Sequence, residues 1–176
     1  MKQPDISAGE TMEDEVKKWL KKVEDVKKGD VDLSRDEDLS IAIMNLVSLE
    51  EHFYFSAMKT EDQKYLDMLH SVRETRKNLL KKIVTEPKGE EWCISKHLLG
   101  ASMRLIEVGT KELSKGNAKE ANNFFTQAFN LYSLFFAINL KMIESKKLEQ
   151  GALQKEEKMS KFSAIIKKIV DCCKEW

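Results

Sequence analysis

The stretch that decides the fold is Lys115–Tyr132, KGNAKEANNFFTQAFNLY. Gly116 is placed to end one helix, because it can take the left-handed conformation that closes a helix C-terminus. Asn117 and Glu120 follow at the spacing of a variant capping box, which starts the next helix. Ala121, Phe125 and Ala128 then recur on one helical face, small residues alternating with an aromatic one. Two helical patterns joined by so short a turn are antiparallel neighbours. The unit is therefore a helical hairpin, with alanines where two backbones approach and phenylalanine filling the flank.

The same reading extends outward. Upstream of Gly116 the helix reaches back to about Glu90. "TEPKGEE" (85–91) is the clearest break, since Pro87 and Gly89 both disfavour a helix interior. Before it, a helix over about 61–84 turns Tyr65, Leu69, Val72, Leu79, Leu80 and Ile83 inward. Thr60 and Gln63 read as its capping box. The preceding helix runs to about Met58, with Ser34 and Glu37 as a capping box at its start. Its main apolar face is Leu39, Ala42, Ile43, Leu46, Leu49 and Phe53, widened by Ile41, Met44, Val47 and Phe55. That breadth predicts burial on more than one side. Downstream, the helix that begins after Asn117 is apolar around most of its circumference and continues through Lys147, so it should be central.

Residues 1–10 read as a flexible tail and 11–176 as a single helical domain. Its core helices fall within about 35–149. Amphipathic helices over about 12–28 and 152–175 flank them. In the first, Val16, Trp19, Leu20 and Val23 recur at helical steps; in the last, Met159, Phe162, Ile166, Ile169 and Cys173 do so. The expected fold is all-α: an antiparallel bundle of about six helices.

Residues 102–135 also resemble one tetratricopeptide repeat. Leu105, Val108 and Gly109 precede the Gly116 stop, and Ala121, Phe125, Ala128 and Leu131 follow it, in the repeat's order and spacing. Glu112 stands where the repeat favours an apolar residue, and no second copy occurs at a 34-residue offset. The resemblance implies a repeat-like hairpin inside a bundle, in a family whose members bind peptides and proteins.

Composition narrows the function classes. Of 176 residues, 41% are hydrophobic and 34% charged, and only 2 Pro and 7 Gly punctuate the chain, too few for a many-stranded sandwich. Thirty basic residues balance thirty acidic ones, so no global field draws the chain to nucleic acid or anionic lipid. The most apolar run, 131–143, is about 13 residues long, against roughly 20 for a membrane span. No secretory h-region opens the chain, and three cysteines make no disulfide framework. These features predict a cytoplasmic protein without a membrane span.

Candidate chemistry is sparse. A di-metal bundle site wants Glu-x-x-His twice; the residues three before His52, His70 and His97 are Leu49, Asp67 and Ile94, so only Asp67/His70 comes near. Cys93 and His97 are four apart but have no second ligand pair. No metal site and no cofactor is expected, although a metal-binding bundle stays an alternative. HEPN-type helical ribonucleases carry Arg followed four to six residues later by His. Here the order is reversed, with His97 seven residues before Arg104. On a stripe at 73–82, Arg73, Arg76, Lys77 and Lys81 could contact phosphates. An RNA binder or HEPN-like nuclease using these six residues is the second reading. The leading one is a non-enzymatic interaction or scaffold protein that binds a protein partner or itself. Its candidate surfaces are the polar stripe Asn45, Ser48, His52 and Ser56, and the outer face of the hairpin at Asn122, Gln127 and Asn130.

Overall fold

A computed structural model describes residues 33–142, together with positions 14, 17, 18, 21, 163, 164, 166 and 167. Four helices follow one another: α1 (Ser34–Thr60), α2 (Gln63–Ile83), α3 (Glu91–Ser114) and α4 (Ala118–Asn139). There is no strand among the described residues. The described residues are all-α, as the composition predicts. The residues expected in a tail at 1–10 and most of the flanking helices at 12–28 and 152–175 lie outside the described residues.

The helices form two hairpins, α1 with α2 and α3 with α4, joined by a smaller seam between α1 and α3. The turn between α3 and α4 is closed as the opening stretch predicts. Gly116 has φ +81. Its N–H bonds to Leu113 O, and the Asn117 N–H to Glu112 O, both at 3.0 Å. These are the two bonds of a Schellman motif, which satisfies the orphan carbonyls at the helix end.

Three capping expectations differ. Leu33, not Ser34, occupies the N-cap position of α1. Leu33 is buried, so tertiary packing sets where the chain enters the helix. Asp62, not Thr60, caps α2, accepting from the Lys64 N–H at 3.0 Å; Thr60 closes α1 instead, donating its hydroxyl to Ser56 O. Asn117 stands at the N-cap of α4 but makes no side-chain cap. Its Nδ2 donates backward to Glu112 Oε2 at 2.7 Å.

Where the periodicity carries the last core helix to Lys147, α4 stops at Asn139. Lys141 takes φ 55, a left-handed conformation without a glycine. Its ammonium reaches the buried Glu91 carboxylate at 2.9 Å. Glu91 also accepts from the Lys88 backbone N–H at 3.0 Å. One carboxylate thus ties the end of α4 to the start of α3. Burial alone pushes its pKa up. The Lys88 N–H and the Lys141 ammonium outweigh that and hold it below the usual carboxylate range.

The shared core lies toward one end of the bundle. Ile43 and Met44 of α1, Leu80 and Ile83 of α2, Leu99 of α3 and residues 134–138 of α4 meet there. The expectation that α4 is central holds only for its second half: every residue from Tyr132 to Ile138 is buried, while Lys119, Asn122, Asn123, Thr126 and Gln127 are exposed, and α4 packs chiefly on α3. Ile166 is fully buried in the same cluster. Ser163 donates to Asn130 Oδ1 at 2.6 Å, so this part of the C-terminal segment packs on α4 within the chain.

Small residues set the helix spacing. Ala121 and Ala128 are almost wholly buried. A Cβ on Gly109 would stand 2.6 Å from the Phe125 ring, so α3 and α4 meet at a distance only glycine allows. A Cβ on Gly100 would be 3.2 Å from Val47, a milder approach between α3 and α1.

Buried hydroxyls run through this core. Ser40 Oγ donates to Glu37 O at 2.6 Å, leaving its lone pairs to the Tyr132 O–H at 2.7 Å. Ser102 donates to Ala128 O at 2.9 Å. Asn139 Nδ2 reaches Ser95 Oγ at 3.1 Å and Phe135 O at 2.7 Å. Between α1 and α2, Arg76, only 3% exposed, donates to Glu50 Oε1 at 2.5 Å.

Candidate functional site

The outer side of α1 contradicts the breadth of its apolar pattern. Ile41 is 51% exposed, Phe55 60% and Met58 56%. Ile41 and Phe55 lie on the stripe that also carries Asn45, Ser48 and His52, at helical steps of three and four residues, and Met58 stands to one side of it. So α1 packs its inner face on α2 and α3 and shows a mixed apolar and polar face outward.

Where α1 and α3 run side by side, an open groove of ≈ 620 Å³ is lined by Ser48, Glu51, His52, Tyr54, Phe55 and Arg104. α1 supplies five of these and α3 one. Arg104 reaches across, donating to Ser48 Oγ at 2.8 Å and pairing with the Glu51 carboxylate. Beside this charged centre, Tyr54 and Phe55 stand edge to face with centroids 5.3 Å apart. Tyr54 is 48% exposed, so water meets two aromatic rings next to an ion pair. Ser48 Oγ meets the Arg104 guanidinium, which donates to it and has no lone pair to take its proton.

The groove brings together Ser48 and His52 from the polar stripe and Arg104 from the phosphate-binding alternative. Ser56 is half-buried and outside the groove lining; Asn45 is exposed and bonds its own helix at Ile41 O. The hairpin candidates lie elsewhere, on α4. Asn122 and Gln127 are exposed, and Gln127 bonds Asn123. Asn130 is engaged by Ser163 inside the chain.

The basic stripe of α2 is thinner than its sequence implies. Arg76 is buried against Glu50 and does not stand on the exposed stripe. Lys77 is paired with Glu74 at 2.8 Å, and that bond holds the Glu74 carboxyl below its usual range. Arg73 and Lys81 are exposed. His97 is exposed on α3, two turns or roughly 10 Å along the axis from Arg104, and does not line the groove. Cys93 is a free, exposed thiol. Among the described residues no three His, Cys, Asp or Glu side chains cluster to hold a metal. No described helix is long and apolar enough to cross a membrane.

Tyr54 and Phe55 are the groove residues that the sequence pattern hides. Phe55 counts toward an apolar face in a helical projection. The available signal was that it continues the polar stripe, three residues after His52. Comparison with known proteins yields no match to a family model, a curated protein or a solved structure.

Proposed function

We propose that this chain is a non-enzymatic interaction or scaffold protein of the cytoplasm, and that the α1–α3 groove with the outer face of α1 is its docking surface. The observation that carries this reading is Phe55, a large aromatic side chain left 60% exposed beside the Arg104–Glu51 pair. Aromatic and arginine side chains set side by side at a concave surface are the usual anchors of protein interfaces. The tetratricopeptide-like pattern over 102–135 supports the reading, because such hairpins serve as rigid platforms for peptide and protein ligands.

Quantitative pull-down with wild type and the exposed-site variants Phe55→Ala and Arg104→Ala tests this. Loss of a bound partner or of self-association in both variants is expected, with helicity unchanged. A strictly monomeric wild-type chain that captures nothing above background refutes the proposal.

A further inference from the structure

The outer face of α1 has a pattern that fits a second copy of itself. Within α1, Arg35 pairs with Asp36, Glu50 with Arg76 and Glu51 with Arg104. Asp38 and Lys59 are exposed near opposite ends of the helix, and neither has an ion pair among the described residues. At 100° per residue Lys59 falls on the line of Ile41, along the middle of the stripe, and Asp38 about 60° away on the side of Asn45. In a two-fold antiparallel helix pair, residues on one edge meet the same edge of the other copy at the mirrored height.

We propose that the chain forms a two-fold dimer in which α1 packs antiparallel against α1 of a second copy, centred between Ser48 and Leu49. This names the partner for the docking surface proposed above and rests on that reading. With this centre, Asp38 lies level with Lys59 of the second copy, and the symmetry makes the ion pair twice. Asn45 lies level with His52 of the second copy, where its Oδ1 can accept from an imidazole N–H. Ile41 lies about one residue rise from Phe55 of the second copy, covering the most exposed aromatic of α1. Ser48, the small residue at the middle, lets the two backbones close. Ile41, Phe55, Asp38 and Lys59 thus each meet a complement from an identical helix. That self-complementarity is what a closed isologous interface requires.

Sedimentation equilibrium of the full chain tests the pairing. Wild type should be dimeric at micromolar concentration, and Phe55→Glu monomeric. Asp38→Lys and Lys59→Asp each place two like-charge pairs at the interface and should weaken dimerisation about tenfold. The double variant Asp38→Lys/Lys59→Asp re-forms both pairs with reversed polarity and should recover wild-type dimerisation. All these positions are exposed, and far-UV circular dichroism should show unchanged helicity. A monomeric wild type, or a double variant no tighter than the singles, overturns the inference. A monomer that still binds a different protein through Phe55 also overturns it, while leaving the docking role intact.

Discussion

Gly109→Ala is the sharpest probe of the hairpin that organises this fold. The added methyl would sit 2.6, 2.8 and 3.2 Å from Cε1, Cδ1 and Cζ of Phe125. Carbon pairs prefer about 3.5–4.0 Å, so the ring or the α4 backbone must retreat by about 1 Å. Overpacking of this kind costs about 1–3 kcal/mol. Against it, alanine is favoured over glycine in a helix interior by about 1 kcal/mol. The expected net is a loss of about 1 kcal/mol. Gly100 on the same helix provides the control. Its added methyl would lie 3.2 Å from Val47 Cγ1, a clash that a shift of a few tenths of an ångström relieves. Gly100→Ala should therefore be neutral or slightly stabilising. Urea denaturation of both variants gives the comparison. A double-mutant cycle with Phe125→Ala isolates the clash: with the ring removed, Gly109→Ala should stabilise by about 1 kcal/mol. A coupling below about 0.5 kcal/mol, within the error of additivity, refutes the idea that the Gly109–Phe125 contact sets the approach of α3 to α4.

Two further predictions concern the charges that brace the bundle. Arg76→Ala should cost about 3 kcal/mol in chemical denaturation, because it strands the Glu50 carboxylate against α2; replacing both partners, as Arg76→Met with Glu50→Leu, should recover most of that loss. Glu91 has a depressed carboxyl pKa, so its contribution is present above the unfolded value of about 4.3 and is lost as pH falls below it toward the folded value. The stability gap between wild type and Glu91→Gln should therefore shrink between pH 6 and pH 3, and a gap that stays constant over that range contradicts the role given to Lys141 and Lys88.

Periodicity and turn chemistry made most of the helical framework legible. Gly116 ended α3 as its backbone freedom dictates, and Pro87 with Gly89 marked the break before α3. The readings that failed were decided by contacts between residues distant in sequence. Nothing local at Lys141 announces a helix end; its pairing with Glu91, fifty positions earlier, holds the chain there. Ser34 had the right local chemistry for a cap, yet the burial of Leu33 placed the helix start one residue earlier. The groove was half legible. Ser48 and His52 stood out as polar residues on an apolar helix. Phe55 did not, because a helical projection shows which residues share a face but not whether anything covers it. Arg76 looked like part of a basic surface for the same reason: its partner, Glu50, comes from the neighbouring helix.

The hydroxyls inside the core have a consequence for the uniqueness of the native state. A bundle held by leucine and phenylalanine alone tolerates sliding of one helix past another, since one apolar contact replaces the next. Here a slide of one turn, about 5.4 Å, would part Ser40 from Tyr132 and Ser102 from Ala128 O. Each would leave a polar group stranded in a dry interior at about 1–3 kcal/mol. Ser40 and Ser102 act as index marks, so that only one alignment of α1, α3 and α4 leaves these two matched.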